Sequence, residues 1–220
     1  MVQTRTVRWE ILRPLAEERR REVLQRAVRR RYRNGDSVFH QADPGDSIHL
    51  LDRGHVAIRV VNRRGDGLTL DLIGPGQSFG EQTLLHTGSR RTASAVAIGN
   101  VETLMLQGDA FRDLQRAHPE VSLVLVELLA AQVRRLSDQL LDAHTMPADE
   151  RVLKQLRRLA DAFCVDGAAT IPLTQEDLAS LAGTTRPTAN RALQSVVDEG
   201  LVELRRGRIV VADVRRLPSA

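Results

Sequence analysis

"GTTRPTANRALQSVVDEG", residues 183–200, is the stretch on which the reading of this chain turns. Taken round at about 100° per residue, Ala189, Ala192, Leu193, Val196 and Val197 fall on one apolar arc. Pro187, Arg191, Gln194, Ser195 and Asp198 face the other way, and Asn190 lies on the border. Thr185 is expected to cap the helix, and Pro187 is tolerated because first-turn amides have no acceptor within the helix. Arg186 sits in that first turn, where a long side chain projects past the helix end. The spacing predicts a packed helix whose N-terminal half presents Arg186, Asn190 and Arg191 outward.

The neighbours on either side extend the pattern. Upstream, "TQEDLASLAG" (174–183) predicts a shorter helix. Thr174 and Asp177 form a close variant of the capping box, and Gly183 ends the helix. Downstream, "VELRRGRIVVA" (202–212) reads as a hairpin turning at Arg206-Gly207, with Arg205, Arg206 and Arg208 near its tip. Two helices around a short glycine-containing turn, followed by a hairpin, make a winged helix-turn-helix. Such a helix enters the DNA major groove, where arginine grips guanine O6 and N7 at two points. Wing arginines suit phosphate. The competing reading is a helical hairpin used for protein contacts.

Upstream again, a helix is expected over about 148–163, and Met146-Pro147 places a break at 145–149. Residues 119–146 contain no internal glycine or proline and predict one long helix. Leu125, Leu129, Leu136 and Ala143 form its stripe, widened by Val121, Val124, Leu128 and Leu140. A helix apolar over more than one face needs two partners, here a barrel and a second copy of itself. Gln132 and Gln139 resemble the polar positions that set register in a coiled coil. A helix packed only on its own barrel is the alternative.

Eleven of the fifteen glycines fall between Gly35 and Gly108. Between them run alternating stretches, "HVAIRVV" (55–61), "LTLDLI" (68–73), "TASAVAI" (92–98) and "VETLML" (101–106). Period-two alternation broken by glycine predicts short strands of an antiparallel barrel or jelly roll. Residues 14–31 read as a helix, and "RRRYR" (29–33) as its solvated end.

Composition sets outer bounds. An apolar fraction of 42% with 27% charged residues is that of a globular protein, with no run long enough to span a bilayer. With no signal-peptide core and one cysteine, Cys164, the expected compartment is the cytoplasm. Of 32 basic residues only Lys154 is a lysine, and the net charge is +4. A base-composition bias explains a general arginine excess, so only arginines at specific positions carry weight.

These motifs together resemble the cyclic-AMP receptor protein (Crp–Fnr) family of bacterial transcription regulators. The likeness covers roughly residues 30–212 and rests on "PGDSIHLLDRGHVAI" (44–58), "IGPGQSFGE" (73–81), "RRTA" (90–93) and "LTQEDLASLAGTTRPTANRAL" (173–193). It implies an α+β chain: a cyclic-nucleotide-binding β-roll (a double-stranded jelly roll) over 1–118, a dimerisation helix and hinge over 119–146, and a winged helix-turn-helix over 147–220. It implies a homodimer on a pseudo-palindromic DNA site, RNA polymerase as a further partner, no enzyme activity, no metal and no membrane. Its DNA-facing set maps to Thr174, Gln175, Thr185, Arg186, Pro187, Thr188, Asn190 and Arg191, with Arg205 and Arg208 on the wing.

In that family the segment matching "FGEQTLLHTGSRRTA" (79–93) is a phosphate-binding cassette. The chemistry agrees. A buried phosphodiester stays anionic and needs a cation and donors. Arg91 supplies the charge, and Thr92 a hydroxyl and amide. Gly80 allows close backbone approach at the start of a short helix over 81–85. Glu81 accepts from a ribose 2′-hydroxyl, and Gln82 adjoins it. The implied effector is cyclic AMP. An ion pair of Glu81 with Arg91, with no ligand, is the alternative.

Two features depart from the family. Aligned on "RRL" (134–136), the long-helix residues that would offer hydroxyls to adenine are Gln139 and Leu140. Gln139 keeps a purine-edge contact, whereas Leu140 does not. Pro187 stands where members reading TGTGA-type half-sites carry glutamate, and it cannot accept from cytosine N4. The six histidines show no metal-ligand spacing and read mostly as surface or loop residues. His86, inside the cassette, is the candidate for the haem ligation seen in some relatives. Regulation without an effector, and a regulatory module of an enzyme, are the remaining readings.

Overall fold

The computed structural model describes residues 7–62, 67–85 and 88–218, so His86 lies outside the described residues. The chain divides into two compact units, Met1–Asp66 with Leu70–Arg134, and Gly67–Thr69 with Arg135–Ala220.

The first unit is a β-roll. After the short helix α1 (Glu17–Gln25) come β1 (Val28–Tyr32), β2 (Ser37–Phe39), β3 (Ser47–Val61), β4 (Gly67–Ile73), β5 (Ser78–Phe79) and β6 (Ser94–Gln107). They form one antiparallel sheet ordered β1-β6-β3-β4, with β2 on β6 and β5 on β3. Alternation predicted short strands. Instead "HVAIRVV" is the second half of the 15-residue β3, and "TASAVAI" and "VETLML" are joined in the 14-residue β6. Glycine bends these strands without ending them. The β3–β6 register shifts around Arg53, beside Gly54 at φ +81°, where a Cβ would stand 2.4 Å from the Asn100 carbonyl.

The helix expected over 14–31 is corrected. Only Glu17–Gln25 is helical, and "RRRYR" is mostly strand β1, registered from Val28 opposite Met105 to Tyr32 opposite Val101. β1 is an exposed edge strand, so its arginines need no apolar alternation. Arg29 pairs with Asp52 at 2.5 Å and with Glu102 at 2.8 Å, and Arg31 with Glu102 at 3.2 Å. The sequence pattern also assigns no element to residues 9–13. Trp9, Ile11, Leu12 and Leu15 are buried against Ile48, Leu50, Leu104 and Leu106, and the Trp9 indole donates to the Leu51 carbonyl at 2.9 Å.

Helix α2 (Gly108–Ala117) leads into α3 (Pro119–Thr145). Val121, Val124 and Leu125 bury one face of α3 in the first unit's core. Another face is bare: Val126 is 63% exposed, Val133 62% and Leu140 61%. With Leu129, which also packs partly against the roll core, and with Leu136 and Ala143, they recur at alternating steps of three and four, a heptad seam. Val126 and Val133 were absent from the expected stripe, and Gln132, expected to set register, is engaged by Gln82.

The second unit is built on α4 (Ala148–Ala162), whose Val152, Leu156, Leu159 and Ala160 are buried. Helices α5 (Gln175–Leu181) and α6 (Arg186–Asp198) pack with it. A sheet ordered β7-β8-β10-β9 joins β7 (Cys164–Val165), β8 (Ala168–Ile171), β9 (Val202–Arg205) and β10 (Arg208–Val211). The β7–β8 hairpin was not anticipated. Its short strands turn at Asp166-Gly167, both at positive φ. The capping box of α5 forms as expected: Asp177 N–H donates to Thr174 Oγ1 at 3.1 Å, and Thr174 N–H to the Asp177 carboxylate at 2.9 Å. Thr185 occupies the cap position of α6, but its hydroxyl lies 3.1 Å from that of Thr188 and bonds no backbone amide. Arg151 fastens the turn ahead of α6, donating to the carbonyls of Met146 (2.9 Å), Ala182 (3.0 Å) and Gly183 (3.1 Å).

Candidate functional site: a buried cation cradle and an exposed reading helix

The cassette residues come together inside the roll. Gly80 sits at φ +87°, and a Cβ there would lie 2.7 Å from Arg91 Nη1. Arg91 is only 4% exposed. Its Nη1 donates to the Gly80 carbonyl at 2.8 Å and the Thr83 hydroxyl at 3.1 Å, its Nη2 donates to the Ser47 hydroxyl at 2.9 Å, and the guanidinium stands 4.1 Å over the Phe39 ring. The backbone is clamped as well, Arg91 N–H donating to the Asp43 carbonyl and Ala42 N–H to the Arg91 carbonyl, both at 2.8 Å. Such a fixed, dehydrated cation is prepared to receive an anion.

Two polar atoms in this cradle are buried without a hydrogen-bond partner among the described residues: Arg91 Nε and Glu81 Oε2. Buried polar groups are nearly always satisfied, so an acceptor beside Arg91 Nε and a donor beside Glu81 Oε2 would complete the cradle. Burial pushes the Glu81 carboxyl above the usual carboxylate range, opposed by a backbone hydrogen bond and by Arg91. Burial lowers the Arg91 guanidinium, opposed by Asp46, Glu81 and Asp43. The helix expected over 81–85 is a single 3-10 turn, Glu81–Leu84. One such turn has little dipole to offer, so the charge of Arg91 dominates.

Thr92 is exposed, its hydroxyl donating to Gln82 Oε1 at 3.1 Å, and Gln82 Nε2 donates to Gln132 Oε1 on α3 at 3.2 Å. Gln139 is a half-buried residue of α3 in the second unit, beside a small cavity of about 90 Å³ that Asp142, Arg151 and Gln155 also line.

His49 is one histidine that is neither at the surface nor in a loop: on β3, it is 3% exposed in the roll. Its ring stacks on Phe79 with centroids 5.2 Å apart, and Nδ1 lies 3.3 Å from the Thr103 hydroxyl. Burial first, then the charges of Arg91 and Arg30, lowers its pKa from 6.5 to about 3. The folded form therefore resists a proton that the unfolded chain accepts below about pH 6.5. This contribution to stability is complete above that pH and is lost as pH falls towards 3, at up to about 1.4 kcal/mol per pH unit. His49→Phe should flatten that part of the acid limb. Acid unfolding followed through Trp9, the chain's single tryptophan, checks it, and an identical limb in the variant would refute the assignment. Among the described residues no group of three or more His, Cys, Asp or Glu could hold a metal.

On α6, Ala189, Ala192, Leu193 and Val196 are buried and Arg186, Pro187, Arg191 and Gln194 exposed, as the apolar arc predicted. Neither Arg186 nor Arg191 carries an ion pair among the described residues, and Arg191 borders a groove with Asp149, Leu153, Thr188 and Ser195. Asn190 differs from expectation: its Oδ1 is buried without a partner, so its acceptor does not face outward. Thr174 is committed to its cap, with Gln175 half-buried beside it. At the wing, Arg208 is exposed, whereas Arg205 is held by Glu203 through Nε and Nη2, both at 2.6 Å. Sequence reasoning missed that clamp, although an i, i+2 pair on one strand face was there to be read.

Residues 29–118 match the cyclic nucleotide-binding domain model, and residues 150–219 the Crp-like helix-turn-helix domain model. The chain is 34% identical over 189 residues, 83% of either sequence, to a protein of Mycobacterium tuberculosis named as a CRP-like cAMP-activated global transcriptional regulator. It is similar to the crystal structure of the Thermus thermophilus catabolite activator protein, at 33% identity and TM-score 0.55, covering 94% of this chain and 96% of that one. The c-di-GMP-responsive global regulator of Xanthomonas campestris shares the fold at 20% identity and TM-score 0.76, covering 89% and 99%. No described helix is long and apolar enough to cross a membrane. The buried Arg91 cradle falls within the first matched domain and the exposed basic helix α6 within the second, and the chain belongs to the Crp–Fnr family of transcription regulators.

Proposed function

We propose that this regulator acts as a cytoplasmic homodimer that reads pseudo-palindromic DNA, recruits or obstructs RNA polymerase, and takes cyclic AMP as its effector. The observation that carries the effector is the pair of unsatisfied buried atoms, Arg91 Nε and Glu81 Oε2. A 3′,5′-cyclic phosphate supplies an acceptor for the first and its ribose 2′-hydroxyl a donor for the second. Thr92 adds a hydroxyl, Gly80 the space and Gln82 an amide. Calorimetric titration with cyclic AMP and cyclic GMP tests this directly. Heat with neither would favour a regulator active without an effector, a reading that Leu140 supports because it offers no hydroxyl to a base.

For DNA, Arg186 and Arg191 are the base readers, and Thr174, Gln175, Thr185 and Thr188 approach the backbone. A bidentate arginine–guanine contact discriminates by about 1–3 kcal/mol. Arg186→Ala should therefore relax one guanine per half-site in a selection from random DNA, and an unchanged motif would refute the groove assignment. Pro187 predicts tolerance at the neighbouring cytosine, and Asn190 contributes little because its oxygen is turned inward. Arg208→Ala should weaken all sequences alike and reduce the salt slope by about one. Arg205→Ala should do so by less, since Glu203 already neutralises that guanidinium.

A further inference from the structure

Besides the packing of Leu84 with Val121, Val124 and Leu125, a hydrogen-bonded side chain joins the cradle to α3. Gln82 accepts from the Thr92 hydroxyl at 3.1 Å and donates to Gln132 Oε1 at 3.2 Å. Gln132 lies on α3 immediately before Val133 of the bare apolar seam. We propose that Gln82 is the positioning residue that couples occupancy of the phosphate cradle to α3, by releasing Gln132 when a ligand captures the Thr92 hydroxyl. The proposal rests on the nucleotide reading above.

The argument is one of hydrogen-bond supply. A threonine hydroxyl has one proton to give. A phosphate oxygen is the stronger acceptor, because charged acceptors bind about twice as strongly as neutral ones. Once that proton turns to the ligand, Gln82 Oε1 loses its donor. A half-buried amide left short of a partner is costly, so the Gln82 amide reorients and its Nε2 follows the anion. Gln132 Oε1 is then released. The same amide cannot satisfy both arrangements, which makes the link two-state.

A variant lacking the link should therefore imitate the liganded protein. The probe is a duplex selected from random DNA by the full-length wild-type chain. Gln132→Ala is expected to raise DNA affinity without nucleotide by about 3- to 10-fold, the range of one hydrogen bond's net worth. The further gain on adding cyclic AMP should shrink by the same factor. Gln82→Ala combined with Gln132→Ala should show no more than the single change, since both break one contact. General damage to α3 would lower DNA affinity, the opposite sign. Unliganded DNA affinity equal to or below the wild type, with the full response to cyclic AMP retained, overturns the proposal. Failure of the nucleotide reading is seen separately, as absence of cyclic AMP or cyclic GMP binding by the wild type.

Discussion

Arg91→Ala should abolish cyclic nucleotide binding, raising Kd by at least about 100-fold, on the order of the 3 kcal/mol attached to one charge-assisted hydrogen bond. The expectation follows from burial. At 4% exposure, Arg91 is a cation already stripped of water and fixed by Gly80, Thr83, Ser47 and Phe39. A phosphodiester entering the cradle loses its own hydration and, among the described residues of this segment, meets no second buried cation to offset the loss. Arg91→Lys separates charge from shape: it keeps the charge but cannot fork between the phosphate and the Gly80 carbonyl, so an intermediate loss of about tenfold is expected. Glu81→Gln should cost less, about 3- to 10-fold, because its partner is a neutral hydroxyl. Its raised pKa adds a pH signature. Protonation replaces a charged acceptor by a weaker neutral one, so wild-type affinity should decline with falling pH from above the ordinary carboxylate range, and Glu81→Gln, neutral throughout, should not share the decline. Cyclic AMP binding by Arg91→Ala within threefold of the wild type would refute the cradle.

What was legible in the sequence depended on whether the signal was local. The capping box at Thr174 and Asp177, the glycine after α5, and the apolar arc of Ala189, Ala192, Leu193 and Val196 are contained within one or two helical turns, and each is found in the structure. The residues of the cassette were legible by type, since a carboxylate, a guanidinium and a conformationally free glycine within a dozen positions suit few ligands. Their partners were not. Ser47 and Phe39, which hold Arg91, lie 44 and 52 residues upstream of it and carry no mark in a linear reading. β1 was mistaken for a helix end because its arginines are satisfied by Asp52 and Glu102, far along the chain, with no apolar alternation to betray a strand. Trp9, Ile11 and Leu12 are illegible for a related reason: three scattered apolar side chains have no period, and only folding back onto β3 and β6 makes them core. In the long helix, total apolarity was visible. Its division into a face buried in the roll and a face left bare was not, and that division decides how the molecule would assemble.

The bare face sets the second large expectation: Val133→Glu should dissociate the protein. Along α3, Val126, Leu129, Val133, Leu136, Leu140 and Ala143 alternate steps of three and four, which keeps one stripe facing a partner helix. β-branched valine at two of the three first positions and leucine at two of the second is the pattern of a parallel two-stranded coil. Removing one such pair from water contributes about 1.5–3 kcal/mol per side chain. A glutamate at 133 forfeits that burial in both chains and places two like charges together in a drying interface. The combined loss should weaken dimerisation by a factor on the order of a thousand or more. Sedimentation at micromolar concentration should then give 24.5 kDa, against twice that for the wild type. Affinity for a two-half-site duplex should collapse to that of one half-site, because the second reading helix is no longer held one DNA turn, about 34 Å, away. Leu141→Glu is the control. Its side chain is equally exposed but lies on the next position round the helix, away from the seam, so the dimer should survive it. A wild-type mass of 24.5 kDa would show that the partner of α3 is something other than its own copy, and dissociation by Leu141→Glu but not by Val133→Glu would show that the copies meet on another face.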